Sequence, residues 1–280
     1  MLKRTFSTLL LWAIVVSVLY FLGATGGILL LTVLALATQW EFYQLLQKAG
    51  QKNLPFLGLA GGLGIFLAPF IASQTDLSDN LPFELSASGF LVLFVTLSAL
   101  FALREKAKDR LPAFLGTSLG LLYVPFLLQF LVELVLLPAD PAQGLFLAVW
   151  VIVVVKFTDV GAYLTGSLCG RHKMAPSLSP GKTWEGAVGG VALSALLGFL
   201  LVQFGGDLVP AGLVPWQGAL FALPLAILSI PSDLLESLFK RAANAKDSGT
   251  FIPGIGGAYD LTDSLLLTAP LAFFLLQAVL

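Results

Sequence analysis

"QGLFLAVWVIVVVKFTDVGAYL", residues 143–164, is the stretch whose reading decides the fold. It stays apolar for about 20 residues, the length that crosses a bilayer as a helix. It does so continuously, without the period-two alternation of a membrane-barrel strand. Two ionisable residues interrupt it. Lys156 and Asp159 stand three apart, on one helical face. That spacing suits an internal ion pair, and ionisable groups inside a span are also functional candidates.

Similar runs recur along the chain. Of 280 residues, 58% are hydrophobic and 11% are charged. A soluble domain carries roughly 25% charged residues, so this chain has too little polar surface to face water. The expected fold is all-α, a polytopic integral membrane protein with nine spans near residues 5–22, 28–46, 54–73, 87–103, 111–137, 143–164, 184–204, 216–238 and 261–280. The fifth is long enough to tilt or to break near Pro125. One integrated membrane domain is expected, with an N-terminal transmembrane region over 1–110 and a catalytic region over 111–280. The first run follows Lys3 and Arg4 as a signal peptide would, but no small-residue cleavage site follows it, and it reads as a retained helix. The single cysteine, Cys169, excludes an internal disulfide and a cysteine-rich metal site, and the single histidine, His172, excludes a histidine cluster. A net charge of -1 selects no partner.

Lys and Arg in the loops set the orientation. With a cytoplasmic N-terminus, every one of the 15 basic residues except Lys156 falls in a cytoplasmic segment. The opposite loops hold Asp76, Asp79, Glu84, Asp140 and Asp207 without a Lys or Arg. Two Gly/Pro-rich segments, 166–186 and 246–257, then face the cytosol.

Acidic residues gather beside the second of these. In "IPSDLLESLFKR", residues 230–241, Asp233, Glu236 and Lys240 share a helical face. Pro231 removes a backbone donor just before Asp233, a cause of kinking. In "YDLTDS", residues 259–264, Asp260 and Asp263 share another face. Antiparallel packing of these two helices would bring all four carboxylates together near the membrane boundary. Clustered carboxylates stay ionised when cations sit between them, and oxygen-only ligands suit a hard ion such as Mg²⁺. The alternative is a set of solvated helix-end acids paired with Lys240, Arg241 and Lys246. Lys182, Lys240, Arg241 and Lys246, with the backbone N–H groups around Gly256 and Gly257, form a candidate phosphate site; the positive-inside rule alone would also place basic residues here. Glu133 takes no role, and Glu41, near a helix end, reads as structural. "SPGKT" is not a P-loop, because Pro176 stands where the first glycine belongs and no strand is expected before it.

These residues resemble a known family. "SLFKRAANAKDSGTFIPGIGGAYDLTDS", residues 237–264, is similar to the signature of bacterial phosphatidate cytidylyltransferases, the CDP-diacylglycerol synthases. Ser237, Lys240, Arg241, Lys246, Asp247, Pro253, Gly254, Gly256, Gly257, Asp260 and Asp263 fall in register with it. Upstream, "SDLLES", "SPGKTWEG" and "DVGAY" resemble further motifs of the family in order. The N-terminal half matches only as a hydrophobic region. Four positions depart: Ile255 replaces a histidine, Leu261 an arginine, Ser232 a glycine and Val160 a threonine. The resemblance implies a Mg²⁺-dependent reaction of CTP with phosphatidate, with room for a second cation. It implies a bacterial inner-membrane location, a homodimer, membrane lipid as a partner and no nucleic acid. It makes Asp233 and Asp260 the metal ligands, helped by Asp263 and Glu236. Lys182, Lys240, Arg241 and Lys246 would hold phosphates, and Asp247 would orient Lys246 or water. Ser179, Thr183, Trp184 and Glu185 would belong to a substrate-side loop, with Trp184 equally suited to anchoring at the interface. The rival readings are a transporter and a degenerate homologue that binds lipid without turnover.

Overall fold

The computed structural model describes residues 2–74, 86–249 and 256–280, the side chains of 2–12 apart. Asp76, Asp79, Glu84, Pro253, Gly254 and Ile255 lie outside the described residues. The architecture is all-α and polytopic, as composition demands. In chain order the helices are α1 (Leu2–Lys48), α2 (Pro55–Gln74), α3 (Ala87–Ala102), α4 (Arg110–Leu121), α5 (Phe130–Leu136), α6 (Pro141–Cys169), α7 (Trp184–Phe204), α8 (Pro215–Ala242) and α9 (Ala258–Gln277). Seven spans among the described residues are long and apolar enough to cross a membrane.

The expected count of nine is not reproduced, for two reasons. The first two expected spans lie on one helix, α1, interrupted at Gly23, whose φ of 53° and ψ of -132° are not helical. Helix α3 has 16 residues. At 1.5 Å per residue it rises about 24 Å, short of a hydrocarbon core of about 30 Å. The break expected near Pro125 is a π turn over Leu122–Phe126 that joins α4 to the segment before α5. Proline has no N–H to give the helical ladder, and a wider turn absorbs the mismatch. Helix α8, by contrast, runs through Pro224 and Pro231 without a break.

The chain divides into two compact units, each built from separated stretches. The first is Met1–Leu136 with Phe239–Thr262. Within it α1 packs on α2 and α4, and α2 on α3. Phe42, Tyr123, Phe239 and Tyr259 form an aromatic cluster with ring centroids 4.9–6.4 Å apart, spacing that favours edge contacts.

The second unit is Leu137–Leu238 with Asp263–Leu280. Its centre is the contact of α6 with α7, where glycine lets backbones approach, as in other membrane helix pairs. A Cβ on Gly190 would lie 2.5 Å from the Thr158 carbonyl oxygen, and one on Gly161 would lie 3.0 Å from the Gly190 Cα. Ser194 donates to the Val154 carbonyl at 3.0 Å, and the Trp150 indole to the Gly198 carbonyl at 3.2 Å. Between α6 and α7 lies a two-stranded antiparallel hairpin, β1 (Lys173–Ala175) and β2 (Ser179–Thr183). No strand is expected there from sequence. The strands have three and five residues, and Pro, Gly and Ser within them read as loop. "SPGKT" is β2 itself, so it does not form the loop of a P-loop.

Gly190→Leu is expected to destabilise the protein by about 1–3 kcal/mol through overpacking. A lowered thermal unfolding midpoint in detergent, relative to the wild type, checks this.

Candidate active site

In the second unit, α6, the hairpin, α7 and α8 surround a cavity of about 450 Å³, within the size range of small-molecule sites. Asp159, Tyr163, Ser179, Lys182, Thr183 and Asp233 are among its lining residues. Each is placed by a local device. The Thr183 hydroxyl caps α7 by accepting from the Gly186 N–H at 3.1 Å, an N-cap contact that fixes where strand becomes helix. That cap presents Lys182, whose ammonium lies 2.6 Å from Asp233 Oδ2 and 3.5 Å from the Ile230 carbonyl oxygen. Glu185, in the first turn of α7, accepts from the backbone N–H groups of Arg171 and His172 at 3.1 and 3.2 Å, and its other oxygen meets His172 Nδ1. It ties down the start of the hairpin and is not among the residues lining the cavity. Trp184 is exposed.

Beside the cavity, carboxylate oxygens of Asp233, Glu236 and Asp263 lie within 4.8 Å of one another. Glu236 and Asp263 are buried, and Asp233 is half-buried. Lys156 is the neighbouring cation. Its ammonium lies 2.8 Å from Asp263 Oδ1, so the intraspan pairing with Asp159 gives way to a contact between helices. The sidedness of α6 explains this: Lys156 and Asp159 share a face, and both look toward the acidic group. Asp159, a functional candidate as an ionisable group inside a span, lines the cavity with Asp233 and Lys182. It belongs to "DVGAY", one of the motifs that carry the resemblance.

Ser232, where the resembled motif has glycine, is fully buried. Its hydroxyl donates to the backbone carbonyl of Asp263 and accepts from the Leu267 N–H at 3.4 Å. The extra hydroxyl thus bonds α9 at the residue that bears a carboxylate. Val160 is 44% exposed on α6 and is not among the residues lining the cavity.

The remaining sequence-derived residues belong to the first unit. Asp260 is not part of the three-carboxylate group of the second unit. Its Oδ1 meets the Lys240 ammonium at 2.9 Å, and its Oδ2 accepts from Gly257 N at 2.8 Å, Ser248 Oγ at 3.0 Å and Ser248 N at 3.4 Å. Lys240 is held by the end of α8. Ala245 N–H bonds the Lys240 carbonyl at 2.8 Å, and Asn244 N–H bonds that of Arg241 at 3.0 Å. Asn244 takes a φ of 50°, so these two bonds form a Schellman cap with asparagine in the left-handed position. Arg241, Lys246 and Asp247 are exposed, Gly256 is half-buried and Gly257 is buried.

The sequence profile of the cytidylyltransferase family matches residues 2–279. The chain belongs to that family. This cytidylyltransferase-family chain is 30% identical over 252 residues, 90% of its length, to the phosphatidate cytidylyltransferase of Staphylococcus saprophyticus, of which it spans 91%. Other relatives are matched over less. It is 39% identical over 135 residues to that of Haemophilus influenzae, covering 48% of this chain and 46% of the relative. It is 40% identical over 154 residues to that of Brucella suis, covering 55% and 54%. The chain therefore spans about half the length of these two curated relatives. Within the family frame, the acidic group and Lys182 fall on the motifs that carried the resemblance.

Lys156→Met leaves the Asp263 carboxylate without its ammonium. Because Lys156 is 29% exposed, the expected cost is about 1–3 kcal/mol, below that of breaking a fully buried pair. Thermal unfolding should show the loss, and should show it largely recovered in Lys156→Met/Asp263→Asn.

Proposed function

We propose that this protein transfers the cytidylyl group of CTP to phosphatidate, giving CDP-diacylglycerol and pyrophosphate. The carrying observation is the cavity in which Lys182 meets Asp233 beside two further carboxylates, in a membrane-spanning member of the cytidylyltransferase family.

A phosphate oxygen of phosphatidate attacks the α-phosphorus of CTP, and the bond from that phosphorus to the pyrophosphate oxygen breaks. The nucleophile is already anionic at neutral pH, so no general base is required. The obstacle is repulsion between two polyanions. Lys182 lines the cavity and offers its ammonium to a phosphate there. Lys240, Arg241 and Lys246 are proposed to hold further phosphate oxygens, with Asp260 fixing Lys240. Ser179 and Thr183 line the same cavity and shape it around the substrate.

The acidic group fits a divalent cation. Its donors are all oxygen, the ligand set of hard ions. Asp159, Asp233, Glu236 and Asp263, when ionised, outnumber Lys156 and Lys182 by two negative charges. We assign Asp233, Glu236 and Asp263 as the holders of Mg²⁺. When bound, the ion neutralises charge on the transferring phosphoryl oxygens.

The site is proposed to face the cytoplasm at a bacterial inner membrane, on the loop distribution of Lys and Arg. There CTP arrives from the cytosol and the lipid headgroup from the leaflet. The resemblance further favours a homodimer.

Purified protein should form CDP-diacylglycerol only with CTP, phosphatidate and Mg²⁺ together, and a chelator should stop it until Mg²⁺ is returned. Asp233→Asn and Asp263→Asn should each lower kcat by about 10²-fold or more. Substrate flux across vesicles without CTP turnover, or full activity in both variants, would overturn the proposal.

A further inference from the structure

Glu41 lies near the C-terminal end of α1 and is 5% exposed. Its sequence position near a helix end suggests an escape to water. Instead it meets the two flanks of the glycine segment in the first unit. Its Oε2 accepts from the Ser248 hydroxyl at 3.0 Å and from the Tyr259 N–H at 3.0 Å. These contacts join residues 207 and 218 positions apart in the chain.

The fit around this carboxylate is close. A Cβ on Gly249 would lie 2.2 Å from Glu41 Oε1, and one on Gly257 would lie 2.3 Å from Oε2. Both glycines are therefore where the chain passes against the Glu41 carboxylate, and one of them, Gly257, is a glycine of the signature. The same face of α1 adds Thr38, whose hydroxyl lies 3.0 Å from that of Thr262, and Phe42, stacked edge-on against Tyr259. Three successive contacts thus dock α1 against the first turn of α9.

The Ser248 hydroxyl stands between two carboxylates, 3.0 Å from Glu41 Oε2 and 3.0 Å from Asp260 Oδ2. One hydroxyl has one hydrogen and can donate to one of them at a time. The backbone N–H groups of Ser248 and Gly257 also bond Asp260. Asp260 in turn holds the Lys240 ammonium. A linked path runs from Glu41 through Ser248 to Asp260 and Lys240.

We propose that Glu41 is a positioning residue for the transfer reaction. It clamps Ser248 and Tyr259 so that the N–H groups flanking the glycine segment fix Asp260, which aims Lys240 at a phosphate of CTP. This rests on the reading of Lys240 as a phosphate-holding residue of a cytidylyltransferase. A structural brace alone would change the amount of folded enzyme; a positioning role changes the affinity for the nucleotide.

The test uses the full-length protein in detergent or nanodiscs. Steady-state kinetics are measured for wild type, Glu41→Gln, Ser248→Ala, the double variant and Lys240→Ala. The expected result is a rise in KM for CTP of about fivefold or more in Glu41→Gln and in Ser248→Ala, with kcat changed less. The double variant should be no worse than the worse single, as expected of residues acting in one chain. Lys240→Ala should raise KM at least as far. An unchanged KM in Glu41→Gln and Ser248→Ala, with Lys240→Ala impaired, overturns the positioning role and leaves the function standing. An unimpaired Lys240→Ala, or no CTP turnover by the wild type, overturns the underlying reading and this inference with it. If Glu41→Gln fails to accumulate in membranes, Ser248→Ala decides: it removes one hydroxyl and keeps the carboxylate.

Discussion

A carboxylate inside an apolar helix must find a cation or a row of donors, and that requirement organises the polar interior of this protein. Lys156 meets Asp263, Lys182 meets Asp233, and Lys240 meets Asp260, at 2.8, 2.6 and 2.9 Å. Withdrawing such groups from water costs several kcal/mol per ion unless the geometry is good and further hydrogen bonds are made. The structure meets that cost with pairs drawn from different elements. Each pair therefore also fixes how two elements sit within its unit.

The same requirement explains why glycine, serine and threonine recur where helices and loops meet. A small residue lets a backbone approach a carboxylate or a carbonyl, and a hydroxyl supplies a donor at low volume. Gly249 and Gly257 make room for Glu41, and Ser232 bonds the carbonyl of Asp263. Thr183 ends the hairpin and starts α7 with a single cap. These are packing and hydrogen-bonding solutions first. The charges they hold lie beside a cavity in one unit and along the signature segment in the other.

Helix identity, membrane character and the motif positions were legible in the chain itself. Long apolar runs leave few alternatives, since in hydrocarbon every backbone group must bond within its own segment. Asp233 and Glu236, and likewise Asp260 and Asp263, share faces by spacing alone. Other features were illegible because their signals are weak. A helix break at Gly23 looks like a short loop. The hairpin at 173–183 looks like coil. A 16-residue apolar helix differs from a span by only a few residues.

What the tertiary structure decided was partnership. Sequence places Lys156 three residues from Asp159, but the ammonium reaches Asp263 on another helix. It places Asp260 and Asp263 together, yet Asp263 joins Asp233 and Glu236 while Asp260 is held by Lys240, Ser248 and Gly257. It leaves Glu41 as an isolated acid, 207 residues from the serine that it binds. Periodicity along one chain reports which face a side chain occupies. Which charge it meets depends on which distant segment packs against that face, and only the folded protein settles that.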